Sequence, residues 1–510
     1  MSNNEKLLIG ITTEKENSFM EWYREMIVKS ELIDYSDISG CYVLMPRSYN
    51  IWEKIQKYVD TEIKKMGVEN AYFPLFVSKN ALETEKNHIE GFAPEVAWIT
   101  RSGKSDLAEP IAVRPTSETI MYPLFSKWLK SHRDLPFRIN QWCNIVRWEF
   151  KDCIPFLRSR EFLWQEGHTC HNTEDDARLE VNHILNIYKD VYEKLLAIPV
   201  IIGHKSEKEK FAGAECTATV ECFIPTIGKA IQSATSHYLG QNFSKMFNIA
   251  VENTDGCKSF VHQNSWGITT RTIGVMAMVH GDNKGLVLPP IVAPVHVVII
   301  QCGITSKLNK DDVDQIDNVC NNLQNLLNEN GIVCKMDNRT NYRVGYKFNY
   351  WELRGVPIRL EIGPKDVKNN NICIARRDTG DKINFNPQSE TGVVEVIRSI
   401  LDDIQNCMYN KALEERNKHI KVCSNIDLFA EEIVKKNMCL VPWCNNILCE
   451  ENISTEFKNM KRSVKSLCIP YNQNLPVELT GNSNSTITDN TKCFNCSSNA
   501  QCYALFGSSF

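Results

Sequence analysis

Between Trp52 and Met66 the apolar residues Trp52, Ile55, Val59, Ile63 and Met66 recur at the spacing of one helix face, and Gly67 ends the pattern. The apolar run 71–77 that follows predicts a strand carrying Pro74. Residues 145–150 and 161–168 predict two further strands, joined as a long antiparallel hairpin by a loop holding Pro155, Arg158 and Arg160. Alternation along a strand puts Arg147 and Glu149 on one face. It also points Phe162, Trp164, Glu166 and His168 one way, with Leu163 and Gln165 the other. Two aromatics, a carboxylate and an imidazole make a poor core and a good ligand wall.

From Thr173 the period returns to that of a helix, acidic in its first turn, burying Ala177, Val181, Ile184, Tyr188, Val191 and Leu195 and ending before Pro199. The proline-rich stretch 288–294 marks a domain boundary. Beyond it, strands over 295–300, 332–336, 358–362 and 372–376 alternate with helices over 312–327 and around 345–354, and a long helix starts at about Val393. That alternation predicts an α/β domain over 294–405. The remainder, 406–510, opens with a charged helical stretch and continues through a cysteine-rich segment, a polar run over 480–491 and an aromatic tail. No internal repeat is evident.

A chain of 510 residues exceeds one core, so several domains are required. The near balance of 58 basic and 62 acidic residues excludes an overall polycation, and any nucleic acid would have to meet a local patch. The amino terminus lacks a signal-like apolar core and no stretch approaches a membrane span, so a cytoplasmic location with no membrane partner is expected. In that setting most of the 20 cysteines should be reduced thiols. The exception is Cys444-x4-Cys449 with Cys493-x2-Cys496, two ligand pairs that can close one tetrahedral zinc site. Cys439, Cys468 and Cys502 leave the choice of four open.

Arginines suit a polyphosphate. Joining a carboxylate to AMP requires neutralising a triphosphate and the charge that develops at its α-phosphorus, work for fixed guanidiniums and Mg²⁺. Arg147 sits on the first hairpin strand, Arg158 in the hairpin loop, and Arg271 within Gly267-Ile-Thr-Thr-Arg-Thr-Ile-Gly274 at a strand-to-helix junction. Each alone reads more readily as a surface ion pair. Together with the helix and strand ending at Pro74, and in this order, the Val146-Arg-Trp-Glu-Phe150 hairpin and the 267–274 segment resemble the three signatures of class II aminoacyl-tRNA synthetases. Arg114-Pro-Thr-Ser-Glu-Thr119, Arg160-Glu-Phe-Leu-Trp-Gln-Glu-Gly-His168 and Thr235-Ser-His-Tyr-Leu-Gly-Gln-Asn-Phe243 resemble prolyl-tRNA synthetases of the eukaryotic and archaeal type. The resemblance runs from about Phe19 to Phe510.

The resemblance implies an α/β (α+β) protein. A short extension over 1–18 precedes a catalytic domain over 19–290 with an antiparallel sheet and helices, an anticodon-binding domain over 294–405, and a small zinc-binding domain over 406–510. It implies ATP with Mg²⁺, L-proline and tRNA(Pro) as ligands, and a homodimer. Arg147 would hold the α-phosphate, Arg158 and Arg271 the terminal phosphates, and Phe162 the adenine, with Glu149, Gln232, Thr235 and Thr269 completing the nucleotide site. Thr116 and Glu118 would receive the proline ammonium, and Arg147, Trp164, Glu166, His168, Phe211 and His237 would shape the pocket. Arg147 and Arg271 would carry catalysis, with no protein nucleophile. Glu352, Arg354, Glu361, Lys365 and Arg376 lie in the stretch matching the anticodon domain. Family members commonly end in tyrosine, where this chain has Phe510. The stretch between Arg160 and Gly267 is too short for an editing insertion, and the segment before Phe19 too short for an appended module, so a stand-alone enzyme is expected. A threonine enzyme of the same class is disfavoured because its active-site zinc ligands have no evident counterpart. A relative that has lost catalysis is disfavoured by the survival of all three arginines.

Overall fold

The computed structural model describes residues 10–82, 95–305, 308–460, 462–481 and 486–510. Its centre is an eleven-stranded sheet. Four long antiparallel strands, Cys216–Ile224, Lys229–Gly240, His262–Thr269 and Glu161–His171, lie side by side in it, followed by Phe137–Val146. One face is covered by helices Phe19–Lys29, Pro46–Lys65, Glu174–Asp190 and Arg271–His280, whose apolar stripes pack into a single core with Ile184, Tyr188, Trp266 and Ile268. Thr173 caps Glu174–Asp190 by accepting a hydrogen bond from Asp176 N, and three carboxylates in the first turn face the positive end of the helix dipole.

The five-stranded sheet of the second domain orders Cys334–Asp337, Val297–Gln301, Ile358–Ile362, Ile372–Arg376 and Lys382–Phe385. The first three are parallel and the last two pair antiparallel. Helices Lys310–Glu329 and Val344–Leu353 make the parallel crossovers, as the alternating pattern predicts.

Three sequence expectations need adjusting. The run 71–77 is not one strand: pairing is confined to Glu69–Asn70 and Phe76–Ser78. Pro74 has no N–H to give a ladder, and the Phe73 N–H donates instead to the Gln141 side chain at 3.0 Å. The first hairpin strand is Phe137–Val146 rather than 145–150; Arg147 N still donates to Arg160 O at 2.7 Å, after which the chain turns away. The helix expected from Val393 starts at Glu390 and runs unbroken to Lys418, through residue 405. Beyond it, Ile420–Val422, Met438–Trp443, Cys502–Ser509 and Val464–Pro470 continue the central sheet, docking on Ile201–His204. The C-terminal segment is thus built onto the first domain.

Candidate active site and cysteine cluster

The uncovered face of the central sheet forms the floor of a cavity of about 310 Å³. Register explains its composition. Thr217, His237, Ser265 and His168 stand opposite one another across four strands. One step along, Thr235, Gly267, Glu166 and Gln141 do the same, and then Thr269, Trp164 and Cys143. Gly267 keeps this floor open, since a Cβ there would stand 3.0 Å from Gln165 O and 3.7 Å from the Trp164 ring. Thr116 and Glu118 close one end from the start of helix Glu118–Trp128.

The inner end of the cavity is polar and buried. Glu118, Glu166 and His168 are each at most 3% exposed. Glu166 Oε1 accepts from Gln141 Nε2 at 2.6 Å and from Ser117 Oγ, while Oε2 meets His168 Nε2 at 3.1 Å. Tyr122 OH holds the other ring nitrogen at 2.9 Å. Burial works against both charges. The shared bond nevertheless holds the His168 pKa above its usual value, and with Ser117 and Gln141 it holds Glu166 below the usual carboxylate range. Thr116 Oγ1 donates to Glu118. On the opposite wall the Phe211 and His237 rings lie 4.8 Å apart, and burial together with nearby His168 draws the His237 pKa down to about 3, keeping it neutral. Thr217 Oγ1 accepts from Phe211 N at 3.0 Å and bonds His237 Nδ1 at 2.9 Å, fixing both rings.

The His168–Glu166 pair carries a pH signature. The His168 contribution to stability is complete below the unfolded value of 6.5 and fades as pH rises through its raised folded value; that of Glu166 is complete above 4.5 and fades as pH falls through its lowered one. His168→Gln is therefore expected to melt several degrees below wild type near about pH 6, with the gap narrowing towards about pH 9. Thermal denaturation across that range tests it, and a gap independent of pH would contradict the charged pair.

Towards the other end the cavity becomes cationic. Arg147 projects from the end of its strand, its Nε donating to Pro115 O at 3.1 Å and its guanidinium 5.7 Å from both the Phe162 and Trp164 ring centres. Arg271 opens helix Arg271–His280 and is clamped by Gln232 O at 2.8 Å and Leu157 O at 3.2 Å. Thr116, Glu118, Arg147, Phe162, Trp164, Glu166, His168, Phe211, Gln232, Thr235, His237, Thr269 and Arg271 all line this one cavity. Two residues do not. Glu149 is exposed past the end of the hairpin strand. Arg158 lines a neighbouring cavity of about 250 Å³, which shares Phe150, Leu157, Gln232 and Arg271 with the first and is closed by Ser509 and Phe510. Phe510 reaches it because Cys502–Ser509 runs parallel to Lys229–Gly240 at its end, with the Lys229 ammonium 4.8 Å from the Phe510 ring. Ser117, Gln141, Tyr122 and Thr217 were given no role in the sequence; strand register brings in Gln141 and Thr217, whereas Ser117 and Tyr122 come from the start of helix Glu118–Trp128.

In the second domain, Arg354 donates to Glu31 of the first domain, Arg376 to Asp378 at 2.8 Å, and Lys382 meets Glu361 at 2.8 Å, whereas Lys365 is exposed. In the C-terminal segment the thiol sulfurs of Cys444, Cys449, Cys493 and Cys496 lie within 4.8 Å of one another, at 3.8 Å for Cys449–Cys493 and 3.7 Å for Cys444–Cys496. Four thiolates around one zinc at about 2.3 Å stand about 3.8 Å apart, so the cluster has the size such an ion needs. All 20 cysteines are free thiols.

An antiparallel sheet with a carboxylate-lined pocket leading to two arginines defines the class. Residues 100–280 match the tRNA synthetase class II core domain (G, H, P, S and T), and 296–398 match the anticodon-binding domain. Residues 426–510 match the prolyl-tRNA synthetase C-terminal domain. The chain is 50% identical to the cytoplasmic proline--tRNA ligase of Arabidopsis thaliana, over 91% of this chain and 86% of the relative. It is 53% identical to the bifunctional glutamate/proline--tRNA ligase of Mus musculus over 91% of its length, and spans 31% of that longer protein. Two structures of prolyl-tRNA synthetase from Cryptosporidium parvum superpose on it. The complex with halofuginone and AMPPNP has a TM-score of 0.93 at 50% identity, covering 99% of this chain and 100% of that one; the complex with L-proline and AMP has 0.91 at 48%, covering 100% and 99%. The chain belongs to the prolyl-tRNA synthetase family.

Proposed function

We propose that this protein activates L-proline with ATP to prolyl-adenylate and transfers it to the 3′ end of tRNA(Pro). The observation that carries the reading is the continuity of one cavity from buried carboxylates to Arg147 and Arg271. A secondary ammonium fits between Thr116 and Glu118, and an apolar ring against Trp164, Phe211 and His237. The carboxylate of proline then faces Arg147, which would meet the α-phosphate of ATP, and Mg²⁺ carried by the triphosphate would add neutralising charge there. Adenine stacks on Phe162, and the remaining phosphates run towards Arg271 and Arg158. In-line attack of the proline carboxylate on the α-phosphorus expels pyrophosphate. The terminal ribose hydroxyl of tRNA next attacks the mixed anhydride carbonyl and AMP leaves. Positioning and fixed positive charge supply the acceleration. A pocket for a small apolar ring rejects a smaller amino acid by only about 1–3 kcal/mol. Some alanine and cysteine are therefore activated, with correction outside this chain. The tRNA anticodon falls to the 296–398 domain, a structural zinc to the four cysteines, and the free thiols suit the cytoplasm.

ATP–pyrophosphate exchange across all twenty amino acids tests the reading: proline should dominate, and another preferred amino acid would refute the pocket assignment. A homodimer belongs to the same reading. It is supported by Tyr72, Phe76 and Trp98, which expose 73%, 49% and 45% of their surface after the Pro46–Lys65 helix. Light scattering should give twice the chain mass at micromolar concentration, and a monomer would argue against it.

A further inference from the structure

The loop that carries Phe211 is held from outside the first domain. Residues 205–215 leave strand Ile201–His204, arch over the pocket and enter Cys216–Ile224, placing Glu209 and Phe211 on the cavity wall. Strand Val464–Pro470 of the C-terminal segment pairs with Ile201–His204 through Ile469 and Pro470, and its preceding residues then follow the loop. Lys205 Nζ donates to Leu467 O at 2.6 Å, Ser206 Oγ meets Ser466 Oγ at 3.1 Å, and Lys465 Nζ reaches Glu209 Oε2 at 2.9 Å. Lys205 and Ser206 are buried, as is Ser466, whose hydroxyl also bonds Glu450 Oε1 at 2.6 Å. Ser206 in turn accepts from Glu209 N at 3.3 Å, so the two clamped residues brace each other.

Within the first domain, the Phe211 end of the loop is fixed by Thr217, through the backbone N–H. At the other end Lys205 is held within the first domain by its N–H to Thr217 O at 2.8 Å and its ammonium to Glu221 at 2.6 Å, and three consecutive residues of the C-terminal segment, Lys465, Ser466 and Leu467, add the contacts to Glu209, Ser206 and the Lys205 ammonium. We propose that Lys465 and Ser466 are positioning residues for the amino-acid pocket: they hold the 205–215 loop so that Glu209 and Phe211 keep the closed wall against which the substrate ring packs. Resting on the assignment of this cavity to proline, the inference gives the C-terminal segment a part in substrate affinity as well as in the fold. Ordering the loop in advance removes an entropic cost from binding, so its loss appears in KM for the amino acid before it appears in turnover.

The test is proline-dependent ATP–pyrophosphate exchange with the full chain, comparing wild type, Lys465→Met, Lys465→Arg and Ser466→Ala, each checked by its melting temperature. Ser466→Ala is expected to raise KM for proline about fivefold to tenfold, with kcat and KM for ATP within about twofold of wild type. Lys465→Met should raise KM for proline by a similar factor and is read on that parameter alone, because Lys465 also lines the cavity that holds Arg158. Lys465→Arg, which keeps the charge opposite Glu209, should restore KM for proline to near wild type. An unchanged KM for proline in both loss variants, or an equal rise in KM for ATP in Ser466→Ala, overturns the inference while leaving the proline assignment standing. A wild-type protein whose exchange does not depend on proline overturns that assignment and the inference with it. Should Lys465→Met fail to fold, Glu209→Gln removes the same ion pair from the loop side and must raise KM for proline by a similar factor.

Discussion

Arg147→Ala is expected to lower proline-dependent ATP–pyrophosphate exchange by about 10²–10³, with a melting temperature close to that of wild type. Among the described residues its one side-chain hydrogen bond uses Nε, towards Pro115 O. The rest of the guanidinium stays with the Phe162 and Trp164 faces in the cavity, free to meet charge on a ligand. Removing it therefore deletes little that folds the protein and much of what would neutralise the reacting phosphate. Arg271→Ala is a poorer probe, because its fork also ties Gln232 O to Leu157 O, so its loss would loosen the strand and the loop together. Lysine at 147 should recover only part of the rate, as a point charge on a flexible stem does not reproduce the planar fork. Near-normal exchange from a folded Arg147→Ala protein would mean that charge at the α-phosphorus is met elsewhere.

The wall of this site was legible because it lies on one strand. Alternation along Glu161–His171 sends Phe162, Trp164, Glu166 and His168 into the cavity, and Gln165 into the core beside Tyr188, without reference to any other part of the chain. The same holds for Glu174–Asp190, where a 3.6-residue period and a threonine cap are local signals. What could not be read is what depends on partners distant in sequence. Gln141 braces Glu166 only because register brings the two strands level there. Thr217 fixes Phe211 and His237 for the same reason. Pro74 sits in an apolar run that looks like a strand, and the polar partner that takes its neighbour's N–H comes from a different element.

How the segments dock on one another was hidden for the same reason. A helix of 29 residues gives no local sign of where its two ends dock, so a boundary at 405 read plausibly although the helix does not break there. Nor does the cysteine-rich composition of the C-terminal segment say that its strands extend the central sheet. That pairing is visible only in contacts such as Ile469 with His204 and Ser508 with Lys229. The consequence is functional, because Phe510 closes the cavity that holds Arg158 and Lys465 reaches the loop carrying Phe211.

Cys449→Ser is expected to release zinc and to lower the melting temperature by more than about 10 °C, the largest stability effect among the changes considered. The four sulfurs already stand at separations suited to one tetrahedral ion. They join three parts of the chain: Cys444 follows strand Met438–Trp443, Cys449 lies in the first turn of helix Ile447–Asn459, and Cys493 and Cys496 lie in the turn before Cys502–Ser509. With the ion absent, the backbone bonds from Phe494 N to Pro442 O and from Gln501 N to Trp443 O, at 2.9 and 2.8 Å, would have to hold that turn against the entropy of a long loop. Elemental analysis of the purified protein should find one zinc per chain in wild type and in Cys257→Ser, an exposed cysteine outside the cluster, and much less in Cys449→Ser. Glu450 joins the adjoining residue to Ser466, so metal loss should also raise KM for proline before activity disappears, whereas a purely local zinc would lower stability and leave that KM alone. A wild-type protein that carries no zinc and melts unchanged with chelator would reduce the cluster to four packed thiols.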